Sequence, residues 1–273
     1  LPCGQCVGCR LKRSREWAIR CVHEASLNDV NCFLTLTYDD EFLPAGNSLF
    51  YPHFQLFIKR LRARFSNVRV RFYMCGEYGE NFDRPHYHAL LFGFDFLDKV
   101  PHGRSPGGTQ MYRSAVLEEL WPYGFSSVGA VTFESAAYVA RYCMKKVTGA
   151  RSLSHYQIVD IETGEVLGDR VPEFNKMSLK PGIGAEWLKR YRSDVYPAGK
   201  VVRPGGASFN APRYYDDLLA RLDAGTDSID GDIAEYGRYL ESLKGAAHST
   251  PERLAVREKV ARAAVRQLKR SLT

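Results

Sequence analysis

Residues 68–93 read VRVRFYMCGEYGENFDRPHYHALLFG, and the fold follows from them. Val68, Val70, Phe72 and Met74 alternate with Arg69, Arg71, Tyr73, Cys75 and Glu77. A period of two residues predicts a β-strand with one apolar and one polar face. Gly79 and Pro85 mark a turn. The strand HYHALLF follows, apolar on both faces beyond its histidines, as a central strand is. His86 and His88 are one residue apart, so they project the same way while Tyr87 projects the other. Glu77 falls on the polar face of the preceding strand, with Arg69 and Arg71. Two imidazoles and a carboxylate form a candidate divalent-metal site with open coordination positions, as catalysis requires. Nitrogen and oxygen donors without thiolates favour Mg²⁺ or Mn²⁺ and remain compatible with Zn²⁺. The bland alternative is a pair of satisfied polar histidines beside an aromatic.

Working outward, CFLTLTY (32–38) is a short strand with Leu34 and Leu36 facing a core and Thr35 and Thr37 facing away. LFYPHFQLFIKRLRARF (49–65) carries Phe54, Phe57, Ile58, Leu61 and Phe65 at helical spacing, with Pro52 near its start. After Gly93, PHGRSPGG (101–108) reads as a loop, QMYRSAVLEELW (110–121) as a helix and FSSVGAVTF (125–133) as a strand. ESAAYVARYCMKKV (134–147) reads as a helix. Ala136, Ala140, Cys143 and Val147 form its apolar face; Tyr138, Tyr142 and Lys145 line up on the opposite, exposed face. This order predicts an α+β fold of the split βαβ type. Its antiparallel central sheet carries helices on one face, and the other face presents Thr35, Thr37, Arg69, Arg71, Glu77, His86 and His88.

Beyond residue 150, YQIVDIETGEVLG reads as a hairpin turning at Thr163 and Gly164, and MSLKPGIGAEWLKRY as a Gly/Pro loop entering a short helix. Residues 212–244 and 250–272 read as two helices, the last starting at Ser249 with Glu252 completing a capping box. Four regions follow: a Cys-containing basic segment (1–31), the core (32–150), a hairpin and loop extension (151–211) and a C-terminal helical extension (212–273).

The formal charge of +7 comes with basic clusters, among them Arg10, Lys12, Arg13, Arg15 and Arg20. A polyanion is the simple partner, nucleic acid first; solvated helix faces would account for any one cluster. No run of about 18 apolar residues predicts a membrane span. Seven cysteines, an odd number, without a visible secretion signal imply a reducing cytosol. Cys3, Cys6 and Cys9 crowd into CGQCVGC. They are candidate ligands for a structural Zn²⁺, the fourth being Cys21, His23 or Cys32, or else thiols in a loop.

A tyrosine oxygen can form a covalent phosphodiester intermediate. A phenol of pKa about 10 needs help at neutral pH, which Lys145 or Lys146 and a metal on the phosphate would give. The alternative is that Tyr138 and Tyr142 pack under the C-terminal segment.

RPHYHALLFG resembles the His-hydrophobic-His motif of the HUH endonuclease superfamily, and GEYG resembles the acidic metal-ligand segment of rolling-circle replication initiators. YVARYCMKK is similar to that superfamily's two-tyrosine motif, and FLTLTY to its first strand. PCGQCVGCRLKRSREWAIR and MSLKPGIG resemble the replication initiators of gokushoviruses, small single-stranded DNA phages. The resemblance implies an RRM/ferredoxin-like core in which His86, His88 and Glu77 bind Mg²⁺ or Mn²⁺. It implies Tyr142 and Tyr138 as nucleophiles assisted by Lys145. The family pattern puts Lys three residues after each tyrosine; here Tyr142 keeps it and Tyr138 is followed by Arg141, so Tyr142 is the favoured nucleophile. The implied reaction is site-specific nicking of single-stranded or melted origin DNA through a 5′-phosphotyrosine link. It would be served by the host replication machinery in the host bacterial cytoplasm, with no membrane involved. Arg69, Arg71, Arg141 and Lys146 would hold phosphates. Two other readings are a plasmid or transposon HUH enzyme and a non-catalytic RRM-like nucleic-acid-binding module.

Overall fold

The computed structural model describes residues 3–79, 83–105, 108–141, 146–202, 206–245 and 249–267. Two compact units divide the chain, one of residues 28–178 and one of residues 3–27 with 179–267.

The first unit is built on a seven-stranded sheet, antiparallel at every pairing. Its strands are β1 (Asn31–Leu36), β2 (Arg71–Tyr78), β3 (Pro85–Phe92), β4 (Val100–Arg104), β5 (Gln110–Arg113), β6 (Ser126–Gly129) and β9 (Phe174–Met177). The order is β4-β5-β6-β1-β3-β2-β9. The strand apolar on both faces, β3, is central, between β1 and β2. One face buries Leu34, Leu36, Phe72, Met74, Tyr87, Ala89 and Leu91 against α2 (Tyr51–Arg64) and α3 (Ala115–Leu120). From α2 come Phe54, Phe57, Ile58 and Leu61, one stripe at helical spacing. The Trp121 indole N–H donates to Thr37 O at 2.7 Å, which satisfies the one polar atom of a fully buried ring.

Gly76 lies directly opposite Tyr87 across the β2–β3 ladder. A Cβ there would come within 3.1 Å of the Tyr87 ring and 3.0 Å of Leu49. The glycine thus admits the Tyr87 ring, whose hydroxyl accepts from Phe50 N–H at 2.9 Å. The strand loses a side chain so that an aromatic can cross it.

Three features differ from the sequence expectations. The segment 100–113 is a hairpin of β4 and β5, and the helix expected over 110–121 is confined to Ala115–Leu120. Ser114 caps that helix by accepting from Leu117 N–H at 3.1 Å, so the helix cannot extend back through the strand. β9 joins the sheet beside β2, although FNKM carries too few alternating apolar residues to announce a strand. A third helix, α4 (Phe133–Arg141), packs on the face opposite α2 and α3, against β2 and β3. It starts at Thr132 through a reciprocal cap: Ser135 N–H donates to Thr132 Oγ1 (3.1 Å) and Thr132 N–H to Ser135 Oγ (2.8 Å). The unit also contains α5 (Arg151–Tyr156) and the expected hairpin, β7 (Gln157–Val159) with β8 (Val166–Asp169).

In the second unit α1 (Val7–Ala25) is joined by α6 (Ala185–Arg190), α7 (Arg192–Val195), the hairpin β10 (Lys200–Val202) and β11 (Ser208–Asn210), α8 (Arg213–Leu222), α9 (Asp230–Lys244) and α10 (Pro251–Gln267). The helix expected over 212–244 is therefore two. The cap of α10 is Thr250 rather than Ser249, its Oγ1 accepting from Arg253 N–H at 3.4 Å. The stretch KPGIG is a packing device. Gly184 adopts φ +78°, and its N–H donates to the Glu24 carboxylate at 2.7 Å. Arg20 donates to Ile183 O at 2.9 Å, its guanidinium sandwiched between the Trp17 and Tyr214 rings.

His23 is buried, stacked on Trp187 at 3.4 Å between centroids and hydrogen-bonded through Nδ1 to the Tyr215 hydroxyl at 2.9 Å. Burial lowers its pKa from 6.5 to about 4. The ring is therefore neutral when folded and gains a proton more readily when unfolded. Its contribution is complete above pH 6.5 and is lost as the pH falls from 6.5 towards 4, by about 3 kcal/mol in all. Denaturant midpoints of the wild type and His23→Gln measured across this range should converge as the pH drops; parallel curves would contradict the assignment.

Candidate metal centre on the sheet

Register builds the site. On the β2–β3 ladder Glu77 is directly opposite His86, and Cys75 is opposite His88. Directly opposed residues share a face of the sheet, and a diagonal neighbour two residues on is within reach of a long side chain. One carboxylate oxygen, Glu77 Oε1, accordingly lies 2.7 Å from His86 Nε2 and 3.1 Å from His88 Nε2. Glu77 and His88 are 1% and 0% exposed, while His86 keeps partial access. The three ligand atoms lie within 4.8 Å of one another.

The outer ring nitrogens fix the chemistry of the inner ones. His86 Nδ1 lies 3.1 Å from Arg84 O, which can only accept, so that nitrogen carries the proton. On β1, opposite His88, Thr35 places its Oγ1 3.1 Å from His88 Nδ1. A neutral imidazole protonated at Nδ1 offers a lone pair at Nε2. Here the Nε2 atoms of both rings face one acidic oxygen, an arrangement that holds together around a cation, either a proton or a metal ion. Adjacent octahedral positions at 2.0–2.1 Å from an ion are about 3 Å apart, matching the two spacings from Glu77 Oε1 to the ring nitrogens. Glu77, His86 and His88 therefore form a group able to bind a divalent metal ion. Burial alone would raise the Glu77 carboxyl, but the hydrogen bonds from His86 and His88 outweigh it and hold the pKa at about 2.

Tyr138 borders this group. Its ring meets the His88 ring edge-on, with centroids 5.1 Å apart, and meets Phe33 at 6.3 Å, while Phe33 stacks on His88 at 5.6 Å. Helical spacing predicts Tyr138 on the exposed face of its helix, but it is not exposed. Only 3% of it is accessible, because α4 lies on the sheet rather than standing clear of it. Tyr142 and Lys145 fall outside the described residues. Arg141 ends α4 and is partly accessible; Lys146 is exposed.

Arg71 shares the polar face of β2 with Glu77 but not its neighbourhood, and Arg69 precedes the strand. Arg71 opens β2, six residues before Glu77, or roughly 20 Å at 3.3 Å per residue. Alternation identifies the face and says nothing of distance along it. Tyr73, the aromatic expected on an open face, is fully buried. Of the cysteines considered for zinc, Cys3, Cys6 and Cys9 come together, and neither Cys21 nor Cys32 joins them; Cys21 is fully buried within α1. Strand alternation placed Thr35 on the face of His88, as found, whereas Phe33, stacked on the His88 ring, was not singled out from the sequence.

Fold and geometry define an α+β protein with a two-histidine, one-carboxylate centre on the second face of its sheet. Comparison with known proteins is consistent with this class. Residues 31–147 match the family model described as replication-associated protein ORF2/G2P. The chain is 40% identical over 223 residues to replication-associated protein VP4 of Bdellovibrio phage phiMH2K, covering 79% of this chain and 66% of that protein. It is 33% identical over 233 residues to replication-associated protein ORF2 of Spiroplasma virus 4, covering 81% and 68%. It is 31% identical over 230 residues to replication-associated protein ORF4 of Chlamydia phage 1, covering 81% and 54%. The chain thus spans about two thirds of the length of the first two relatives and about half of the third. No solved structure matches it. The chain belongs to the family of phage replication-associated proteins. No helix among the described residues is long and apolar enough to cross a membrane.

The Thr35 contact is a test of the ligand geometry. Thr35→Val keeps the side-chain shape and removes the partner of His88 Nδ1. Mn²⁺ affinity measured by calorimetry should fall by about 10- to 100-fold, the usual cost of losing such a support. Unchanged affinity would mean that His88 is not a ligand held in this orientation.

Proposed function

We propose that the protein is an HUH-type rolling-circle initiator that nicks and rejoins single-stranded origin DNA of a small circular phage genome. Support comes chiefly from the packing of Tyr138 against His88, which brings a tyrosine of the two-tyrosine segment to the candidate metal centre. The match over residues 31–147 encloses the same residues.

In this reading Glu77, His86 and His88 hold Mg²⁺ or Mn²⁺. When bound, such an ion offsets the negative charge that develops on the nonbridging phosphate oxygens. The Tyr142 oxygen attacks phosphorus and loses its phenolic proton. The bond from phosphorus to the 3′ oxygen breaks, and that oxygen leaves as a 3′-OH after taking up a proton. The 5′ end stays on the tyrosine as a phosphodiester, which conserves the energy of the broken bond, so no nucleotide cofactor is needed. Host polymerase extends the 3′-OH in the bacterial cytoplasm. Tyr138 serves the second transesterification, which releases a circle. Lys145 stabilises the phenolate, and Arg141 and Lys146 hold flanking phosphates. Arg71, roughly 20 Å from Glu77 along the strand, and Arg69, which precedes that strand, would touch DNA several nucleotides from the cut. A purely binding RRM-like role is disfavoured because Tyr73 is buried and cannot stack on a base.

Incubation of the full chain with single-stranded phage origin DNA and Mn²⁺ tests the reaction. The wild type should form a covalent protein–DNA adduct, Tyr142→Phe should lose at least about 100-fold in cleavage, and Tyr138→Phe with Tyr142→Phe should form none. Adducts from the double variant would overturn the nucleophiles, and full cleavage by His86→Ala with His88→Ala would overturn the metal role.

A further inference from the structure

Cys3, Cys6 and Cys9 take no part in the sheet site, yet their sulfurs converge. All lie within 4.8 Å of one another, with Cys3 Sγ 4.0 Å from Cys9 Sγ. The convergence is built by the backbone. Gly4 adopts φ +73°, a turn that glycine alone enters without strain. The turn brings Cys3 Sγ to 3.2 Å from the N–H of Cys6, which donates to it. Cys6 is the N-cap residue of α1 and Cys9 lies in its first turn. Cys3 and Cys6 are exposed.

We propose that these three thiolates bind one zinc ion, with an exchangeable fourth ligand from solvent. A tetrahedral ion at the Zn–S distance of 2.3 Å holds its sulfurs about 3.8 Å apart, close to the 4.0 Å found here. Thiolates select such an ion over Mg²⁺ or Mn²⁺, so the two centres take different metals. Three thiolates around Zn²⁺ carry a net negative charge. They sit at the positive end of a 19-residue helix whose first turn holds no acidic residue and whose N-cap side chain makes no capping hydrogen bond. Among the described residues, the other candidates offered by the sequence do not complete the set. Cys21 is twelve residues along α1 from Cys9, about 18 Å at 1.5 Å per residue, and is fully buried. His23 is hydrogen-bonded to Tyr215. Cys32 is buried in the hydrophobic cluster of the sheet. Binding converts three thiols to thiolates and releases three protons to solvent; no electron is transferred. The ion would clamp the turn onto α1 and fix the start of its basic face.

The full chain, purified with a reductant and reloaded with Zn²⁺ or Co²⁺, tests this. About one equivalent of tightly held zinc should be released by a thiol-directed mercurial. The Co²⁺ form should show sulfur-to-metal charge transfer and the visible bands of a tetrahedral ion. Both signals should disappear in Cys3→Ser, Cys6→Ser and Cys9→Ser, and persist in Cys21→Ser and in His86→Ala with His88→Ala. Circular dichroism identifies any variant that has unfolded, and Cys9→Ser repeated in the Cys21→Ser background separates loss of ligand from loss of fold. Zinc retained by folded Cys6→Ser, a Cys3–Cys9 disulfide with no bound metal, or stoichiometric iron in place of zinc would each overturn the proposal.

Discussion

The structure of the sheet unit depends on the pairing register of β2 and β3. A slip of one residue would reverse the faces of β2. Glu77 would then leave the face of His86 and His88, and Gly76 would no longer lie across from the Tyr87 ring. The register is fixed from the other side of the sheet. Phe72, Met74, Tyr87, Ala89 and Leu91 are buried against α2 and α3, and Gly76 is the position that admits Tyr87. The apolar core thus positions the polar site, although the two touch opposite faces of the same strands.

Polar groups on the second face are buried at a cost that their partners offset. An unpaired carboxylate as enclosed as Glu77 would be driven towards its neutral form. Two imidazoles on one oxygen reverse that tendency, and the bonds of their outer nitrogens to Arg84 O and Thr35 keep both rings turned inward. α4 then covers this face with Tyr138, Ala136 and Val139 buried. Water is kept from His88 while His86 retains access, so a ligand approaching the centre would reach it from the His86 end.

Much of the sheet unit was legible in residues 68–93 and their neighbours, because strand alternation is a strong local signal. The central position of β3 and the shared face of Glu77, His86 and His88 follow from it, and the core stripe of α2 follows from helical spacing. Where side chains carry no period, sequence reading fails. β9 is four residues long and weakly apolar, and β4 reads VPHGR, a turn-like composition held in a strand by its partner β5. Tyr138 shows a different limit. Helical spacing separates it from Ala136 and Ala140, but only the tertiary placement of α4 reveals that this second face is itself covered. KPGIG illustrates the converse. A stretch that reads only as a Gly/Pro loop is here a close contact of backbone with Tyr214 and Tyr215.

The central claim is that β2 and β3 hold a divalent ion through two imidazole nitrogens and one carboxylate. Electron spin-echo envelope modulation of the Mn²⁺-loaded full chain reads those nitrogens directly. Coupling to two histidine nitrogens is expected, switching from the ¹⁴N to the ¹⁵N pattern when only histidine is isotopically labelled. Bound Mn²⁺ with no nitrogen coupling, or with coupling unaffected by labelled histidine, would contradict it.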